Sequence, residues 1–293
     1  MKFTLVDLLK LVGALGFFNY GMKIMSECIK KLAGNQLRDI LNRMTSNRFS
    51  GVLTGFLTTA VVQSSSATTV MVVSFVNAGL LTLKQAIGVI MGANIGTTIT
   101  AILVTLLGFS KFSLADYALP IIAIGFPLMF FQSLKAKSWA EFLIGFAILF
   151  MGISMLKHAV PDFSADALMF LQDLNDMGIF STLIFVAIGT LLTVILQSSS
   201  AAMTLTLVLC DQGIIQFDMA AAIVLGENIG TTITANIAAL IGNIHAKRAA
   251  RGHLLFNLFG VAWMILIFPI FLKGINAYMI SSGYGSPFTD QSS

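Results

Sequence analysis

Two copies of one polar cassette lie within strongly apolar sequence, and they constrain the fold more than any other feature of this chain. The first copy contains Gln-Ser-Ser-Ser at 63–66 and Gly-Ala-Asn-Ile-Gly-Thr-Thr at 92–98. The second contains Gln-Ser-Ser-Ser at 197–200 and Gly-Glu-Asn-Ile-Gly-Thr-Thr at 226–232, so each run recurs 134 residues later. Hydroxyls and amides inside apolar helices cost free energy unless they bind something polar.

The similarity extends beyond these runs. Without gaps, residues 55–101 match residues 189–235 at 19 of 47 positions, and the matches concentrate on Gln, Ser, Asn, Gly and Thr. Packing between membrane helices explains any single Ser or Thr, but it does not require the same ordered set twice. The duplication therefore predicts a transporter built from two repeats around a central polar site.

The composition places the chain among membrane proteins with several spans. It is 57% hydrophobic and 10% charged, whereas a soluble domain carries about a quarter charged residues. The net charge of +4 comes from short basic segments, which we interpret as membrane topology rather than nucleic-acid binding. We therefore expect an all-α polytopic protein that contacts the lipid bilayer and has no nucleic-acid partner.

Six apolar stretches are long enough to span a bilayer core, which needs roughly 20 helical residues. They lie at 4–27, 85–109, 117–134, 139–157, 219–244 and 254–273. The segments on either side of each Gln-Ser-Ser-Ser run are too long together for one span, and each is too short to cross alone. We therefore predict two re-entrant helical hairpins, 51–81 and 179–210, with 63–66 and 197–200 at their tips.

The distribution of charge supports hairpins that enter and leave on one side of the membrane. Lys and Arg concentrate in 28–50, 134–138 and 245–253, whereas Asp concentrates in 158–177 and 211–218. With re-entrant hairpins, all basic segments fall on one side and both acidic segments on the other. The positive-inside rule then puts the basic segments in the cytoplasm, and we expect the inner or plasma membrane.

This topology predicts an inverted repeat. Each repeat has about three transmembrane helices and one hairpin, and an odd number of spans makes the second repeat enter from the opposite side. Repeat 1 covers 1–134, repeat 2 covers 135–273, and residues 274–293 form a polar C-terminal tail.

The cassettes also indicate what binds. A helix broken at Gln-Ser-Ser-Ser exposes a helix N-terminus at 65–67 and another at 199–201, and such ends bind anions through N–H groups and the helix dipole. The Asn-Ile-Gly-Thr-Thr runs predict two further breaks, where Asn94 and Asn228 cap the following half-helix. Four half-helix ends near the midplane suit a small tetrahedral oxyanion. Carbonyl ends and side-chain oxygens suit sodium.

Glu227 is the one acidic residue inside a cassette, and it occupies the position of Ala93 in the first copy. A carboxylate at membrane depth is a functional candidate by default. The structural alternative is a carboxylate held by hydrogen bonds from neighbouring amides, and the sequence favours neither interpretation.

At these cassettes the sequence resembles the type II sodium–phosphate cotransporter family, whose members carry paired QSSS and GxNIGTT-like motifs in two inverted repeats. The resemblance covers most of the chain, including Gly79-Leu80-Leu81 and His253-Leu254-Leu255-Phe256-Asn257. It implies a symporter that imports inorganic phosphate with sodium as the coupling ion. It also implies a short bacterial form without the PhoU-like domain of longer relatives, unless the chain is part of a longer protein.

The resemblance, together with the carboxylate at 227, defines two overlapping sets of candidate site residues. The phosphate set is Gln63, Ser64, Ser65, Ser66, Thr98, Gln197, Ser198, Ser199, Ser200 and Thr232. The sodium set is Gln63, Ser66, Asn94, Thr97, Gln197, Ser200, Glu227, Asn228 and Thr231. We expect no catalytic residue and no cofactor besides the coupling sodium.

Several alternatives stay open. The same fold could carry sulfate or arsenate, or it could export phosphate. The paired hairpins argue against a passive channel. An intramembrane protease would need a His or Lys base near a Ser, or two Asp residues at membrane depth, and neither pattern is visible. A homodimer is compatible with the sequence.

Overall fold

The computed structural model describes residues 4–42, 48–109, 114–161, 165–175 and 177–288, and every regular element in these ranges is helical. The α-helices are α1 Leu5–Asn42, α2 Arg48–Val62, α3 Ser65–Asn77, α4 Leu83–Gly108, α5 Ala118–Leu128, α6 Leu134–Ala159, α7 Ala165–Asn175, α8 Ile179–Leu196, α9 Ser199–Asp211, α10 Phe217–Gly230, α11 Thr232–Ala239 and α12 Ile244–Ser281. A short 3-10 helix, Leu114–Tyr117, precedes α5.

Five helical segments of the described chain are long and apolar enough to cross a membrane. They are Leu5–Leu32, Leu83–Leu106, Leu134–Ala159, Ile179–Leu196 and Ile244–Ser281. These segments indicate a multi-pass membrane protein, so the predicted all-α membrane class is confirmed.

Three of the predicted segments differ from the structure. The predicted span 117–134 is wrong in length, because α5 has only 11 residues and Pro127 in its last turn cannot donate a backbone hydrogen bond. The predicted span 219–244 is interrupted at Thr231, between α10 and α11. In addition, α8 has 18 residues and is itself long enough to span, although it was predicted to be half of a hairpin.

Two basic segments predicted as loops are partly helical. α1 continues to Asn42, and α12 begins at Ile244, so Lys247 and Arg248 lie in its first two turns. The early start of α12 has a local cause. The side-chain Oδ1 of Asn243 accepts hydrogen bonds at 3.0 Å from the backbone N–H groups of His245 and Ala246. Asn243 is therefore the N-cap of α12.

The chain divides into two compact units, each of which contains one Gln-Ser-Ser-Ser run. The first-cassette unit comprises Leu9–Ala159 and Thr234–His253. The second-cassette unit comprises Met1–Leu8, Val160–Ile233 and Leu254–Ser293.

In the first-cassette unit, α2 packs directly on α4 through glycines. A Cβ atom added at Gly55 would lie 1.9 Å from the carbonyl oxygen of Val89, and one added at Gly92 would lie 1.9 Å from that of Val52. Real Cβ atoms do not approach oxygen so closely, so only glycine allows this backbone contact. The contact places α4 against the helix that leads to the first Gln-Ser-Ser-Ser run.

The second-cassette unit repeats this contact between α8 and α10. A Cβ atom at Gly189 would lie 2.0 Å from the carbonyl oxygen of Ile223, and one at Gly226 would lie 1.9 Å from that of Val186. Around it, buried residues from α8, α10 and α12, including Phe185, form an apolar core. Because Gly189 and Gly226 are the sequence counterparts of Gly55 and Gly92, both units build the cassette on the same helix pair.

Candidate functional site

The first Gln-Ser-Ser-Ser run breaks the helix between α2 and α3. Gln63 has a left-handed backbone conformation with φ 54°, and Ser64 is extended with φ −152° and ψ 104°. The Ser64 Oγ accepts a hydrogen bond from the backbone N–H of Ala67 at 3.2 Å, which makes Ser64 the N-cap of α3. The run therefore ends one helix and starts the next within two residues.

The second run has nearly the same geometry between α8 and α9. Gln197 has φ 52°, and Ser198 has φ −150° and ψ 107°. The Ser198 Oγ accepts a hydrogen bond from Ala201 N–H, again at 3.2 Å. Both predicted helix N-termini are therefore confirmed.

The two glutamines are the non-glycine residues with positive φ in the described chain. A left-handed conformation at a residue with a Cβ atom costs of order 1–3 kcal/mol and persists only where the surroundings require it. The same unfavourable conformation thus occurs at the same motif position in two separate units. Helix packing alone gives no reason for this repetition.

In the first-cassette unit, buried hydroxyls surround the break. Thr100 Oγ1 on α4 donates a hydrogen bond to Gln63 Oε1 at 2.9 Å, and the Gln63 side chain is only 6% exposed. Thr59 Oγ1 on α2 donates to Thr68 Oγ1 on α3 at 3.1 Å. Ser26 on α1 donates to the carbonyl oxygen of Val62, the last residue of α2. These bonds attach two neighbouring helices, α1 and α4, to the tip and join α2 to α3.

A small cavity of about 40 Å³ adjoins Gln63 and Thr100. Its other walls are apolar and include Met22 and Met25 of α1. A cavity of this volume can hold one water molecule, and the Gln63 amide and the Thr100 hydroxyl provide polar partners for it.

In the second-cassette unit, a buried carboxylate lies between α9 and α10. Glu227 on α10 is 3% exposed, and its Oε1 accepts a hydrogen bond from Thr206 Oγ1 on α9 at 2.9 Å. The group that donates to this carboxylate is therefore a hydroxyl and not one of the neighbouring amides expected from the sequence. By contrast, Gln197 is exposed, and its Nε2 donates to the carbonyl oxygen of Val194 at 2.7 Å.

The Asn-Ile-Gly-Thr-Thr runs differ from the prediction. α4 passes through Asn94 without a break, so the predicted half-helix and Asn94 cap in the first copy are wrong. In the second copy the helix is interrupted at Thr231, but Asn228 lies inside α10 and donates to the carbonyl oxygen of Val224 at 3.1 Å instead of capping.

The hydroxyls of these runs bond back to their own helices, which explains why the interruption is slight. Thr97 and Thr231 donate to the carbonyl oxygens four residues before them, at 3.4 and 2.9 Å. Thr98 and Thr232 donate to the carbonyl oxygens three residues before them. Such bonds keep the hydroxyls satisfied within the helix and bend it without breaking it.

The predicted site residues fall into two sets, one in each unit. The first-cassette unit holds Gln63, Ser64, Ser65, Ser66, Asn94, Thr97 and Thr98. The second-cassette unit holds Gln197, Ser198, Ser199, Ser200, Glu227, Asn228, Thr231 and Thr232. Ser65 and Ser200 are buried, Thr98 is exposed, and the other serines of the two runs are half-buried.

Sequence reasoning missed several polar residues next to the cassettes. Thr100 and Thr206 donate hydrogen bonds to cassette residues, and Ser26 donates to the carbonyl oxygen of Val62, which directly precedes the first run. The hydroxyls of Thr58 and Thr69 are buried and have no hydrogen-bond partner in the described part of the chain. Thr58 and Thr69 are polar residues within apolar segments close to 63–66, and this pattern could have identified them from the sequence.

The ligands that these surroundings offer are hydroxyl, amide and carbonyl oxygens, one carboxylate, and helix N–H groups. Within the described ranges, no group of three or more His, Cys, Asp or Glu side chains comes together. Such a set suits a small hydrogen-bonding anion and a monovalent hard cation better than a transition metal.

A family model described as Na+/Pi-cotransporter matches residues 17–158 and 171–284. The chain belongs to this family. Members of the Na+/Pi-cotransporter family are transporters rather than enzymes, and membership supports phosphate transport by this multi-pass membrane protein. The resemblance found at the cassettes is confirmed.

Relatives of this family member include bacterial and vertebrate proteins. "Uncharacterized protein YqeW" of Bacillus subtilis is 32% identical over 256 residues, which cover 85% of this chain and 78% of the relative. "Putative inorganic phosphate export protein YjbB" of Escherichia coli K12 is 31% identical over 264 residues, which cover 87% of this chain and 46% of the relative.

A third relative, "Sodium-dependent phosphate transport protein 2B" of Homo sapiens, is 41% identical over 102 residues, 34% of this chain and 15% of the relative. The chain therefore spans less than half the length of YjbB and of the human protein. No solved structure matches the chain.

Proposed function

We propose that this Na+/Pi-cotransporter family member is a sodium-coupled symporter that imports inorganic phosphate across the cell membrane by alternating access. Phosphate and sodium bind at the two Gln-Ser-Ser-Ser tips near the membrane midplane. The observation that carries the proposal is the pair of helix N-termini, capped by Ser64 and Ser198 in the same geometry.

The phosphate chemistry follows from these ends. The first-turn N–H groups of a helix have no partner within the helix. The cap serine takes one of them, on Ala67 in α3 and on Ala201 in α9. The backbone N–H groups and the hydroxyls of Ser65 and Ser66 are then available as donors to phosphate. Ser199 and Ser200 offer the same groups in the second run. The positive end of each helix dipole favours the anion.

The sodium chemistry relies on oxygen ligands. The candidates are Gln63, Ser66, Asn94, Thr97, Gln197, Ser200, Glu227, Asn228 and Thr231. Glu227 is the only acidic residue among them, and a bound cation favours the ionised form of a buried carboxyl group. Sodium therefore orders the tips, and the ordered tips bind phosphate.

The proposal includes the inverted organisation expected from the loops. Repeat 1 over 1–134 and repeat 2 over 135–273 each contribute a hairpin, 51–81 and 179–210, that enters and leaves on one side of the membrane. Each net positive charge that enters with phosphate gains about 2.3 kcal/mol per 100 mV, enough to concentrate phosphate many-fold.

Uptake of radiolabelled phosphate into proteoliposomes tests the proposal. We expect uptake with an inward sodium gradient and little uptake with an equal potassium gradient. Uptake that is indifferent to sodium contradicts the coupling. Competition by unlabelled sulfate or arsenate that matches competition by phosphate contradicts the substrate assignment.

Export is a second candidate, because the relative YjbB is named for inorganic phosphate export and the chain is 31% identical to it. The direction is measured in cells that lack their own phosphate transporters. Expression of an importer raises intracellular phosphate when external sodium is added. Expression of an exporter lowers intracellular phosphate under the same conditions.

A further inference from the structure

A cavity of about 330 Å³ lies within the second-cassette unit, away from the cassette itself. Its walls come from the end of α7, the start of α8, the start of α10 and the second half of α12. Thr182 in its wall precedes Gln197 by 15 residues on the same helix, which corresponds to about 22 Å at 1.5 Å per residue. The volume falls within the usual range for small-molecule sites, about 300–1,000 Å³.

One end of this cavity is polar and holds a carboxylate. Asn175 Nδ2 donates to Asp218 Oδ2 at 2.9 Å and to Gln216 Oε1 at 3.0 Å. Ser181 Oγ donates to Asn175 Oδ1 at 3.4 Å, and the backbone N–H of Met219 donates to Asp218 Oδ1 at 2.9 Å. Asp218 forms no ion pair with a Lys or Arg of the described chain. The end therefore holds a carboxylate without a cationic partner.

Two further groups give the cavity a surplus of acceptors. Thr182 lines the cavity, and its hydroxyl has no hydrogen bond to any described residue. Ile265 and Pro269 on α12 also line it. Because proline has no N–H group, the Ile265 carbonyl oxygen cannot receive the usual helical hydrogen bond from residue 269. A donor-rich ligand in the cavity can use the Thr182 hydroxyl oxygen.

The remaining walls are apolar. Phe185 and Met219 are each 2% exposed, and Phe268 is 5% exposed. At the rim, Leu266 is 76% exposed and Ile179 is 56% exposed, so apolar side chains border the cavity at the protein surface. These walls offer no ligands to a bare metal ion, but they fit a short hydrocarbon chain.

We propose that this cavity binds an amphiphilic organic cation, a primary ammonium group on a short apolar chain. The ammonium donates to Asp218 and to the neighbouring acceptors, and the chain packs against Phe185, Met219 and Phe268. A neutral ligand lacks the attraction to the carboxylate, and an anion is repelled by it. Binding is measured without transport, so the proposal stands or falls independently of the proposed function.

Calorimetry on the protein in lipid nanodiscs tests this with three probes of equal chain length: octylamine, octanol and octanoate. Titration of empty nanodiscs corrects for partition into lipid. A charge-assisted hydrogen bond in such a site is expected to make octylamine bind about tenfold more tightly than octanol, or more, with octanoate weakest. No binding of any probe, or equal binding of all three, overturns the proposal.

Three variants make the test specific. Asp218→Asn should abolish the preference for octylamine over octanol. Asp211→Asn removes the same charge from an exposed position outside the cavity, and it should keep the preference. Ala222→Phe fills the cavity and should abolish binding of all probes, with folding checked by thermal unfolding in the nanodisc. Unchanged octylamine binding in either Asp218→Asn or Ala222→Phe overturns the proposal. Displacement of octylamine by sodium chloride but not by choline chloride also overturns it, because that result assigns the carboxylate to a metal ion.

Discussion

Thr206 donates a hydrogen bond to the buried carboxylate of Glu227 at 2.9 Å, and this pair has no counterpart in the first copy. At the same offset of 134 residues, the first copy has Val72 in place of Thr206 and Ala93 in place of Glu227. Both are fully buried. A polar pair and an apolar pair thus occupy equivalent positions in the two copies. A difference placed so specifically suggests a task that only the second copy performs.

The first prediction converts the second copy to the first at these positions. The double substitution Thr206→Val with Glu227→Ala removes the buried polar pair together, and replacing both partners is far less destabilising than removing one. If Glu227 is a sodium ligand, the sodium concentration for half-maximal phosphate uptake should rise about tenfold or more, because the only charged ligand is lost. Sodium titration of uptake in proteoliposomes measures this.

The single change Asp173→Asn is the control for that experiment. It removes one negative charge from an exposed position on α7 and should leave the sodium dependence unchanged. A double variant that folds and keeps the wild-type sodium dependence would show that Glu227 has a structural role only.

The second prediction concerns the bond between Thr100 and Gln63. Thr100→Val leaves the buried Gln63 Oε1 without its donor, which costs about 1 kcal/mol. We expect roughly a fivefold increase in the phosphate concentration for half-maximal uptake. Thr105→Val is the matched control on the same helix, because Thr105 is exposed. Equal kinetics for the two variants would remove Gln63 from the binding site.

The third prediction tests the serines at the helix N-termini. Ser65→Ala and Ser199→Ala remove a hydroxyl from each tip but leave the cap serines in place, so expression should stay near normal. Phosphate or sodium affinity should fall by about three- to tenfold, as expected for the loss of one hydrogen bond. Uptake kinetics measure the affinity. Wild-type kinetics in both variants would exclude these residues from the site.

The breaks at the two tips could be predicted because their signal is local. A polar Gln-Ser-Ser-Ser run inside apolar sequence contains a good N-cap residue, so the run itself locates the start of the next helix. Ser64 and Ser198 cap the next helix as this pattern indicates. By contrast, the same local reasoning was wrong at Asn94, because α4 continues through this residue.

The surroundings of the tips could not be predicted from local patterns. Thr100 is 37 residues from Gln63, and Ser26 is 36 residues from Val62, so their pairing depends on how α1, α2 and α4 pack. The Thr206–Glu227 pair was visible in principle. Aligning the two copies shows two polar residues at apolar positions, but only the structure shows that they touch.

The fourth prediction concerns the backbone contact that supports each tip. Gly55→Ala would place a Cβ atom 1.9 Å from the carbonyl oxygen of Val89, so α2 and α4 must separate. Overpacking of this kind costs about 1–3 kcal/mol, and more where backbone must move. We expect a clear fall in the thermal unfolding temperature in detergent and a loss of phosphate uptake. Gly13→Ala is the control, since nothing lies within 4 Å of its added Cβ atom, and alanine favours the helix. If Gly55→Ala is as stable as Gly13→Ala, the close α2–α4 contact is wrong.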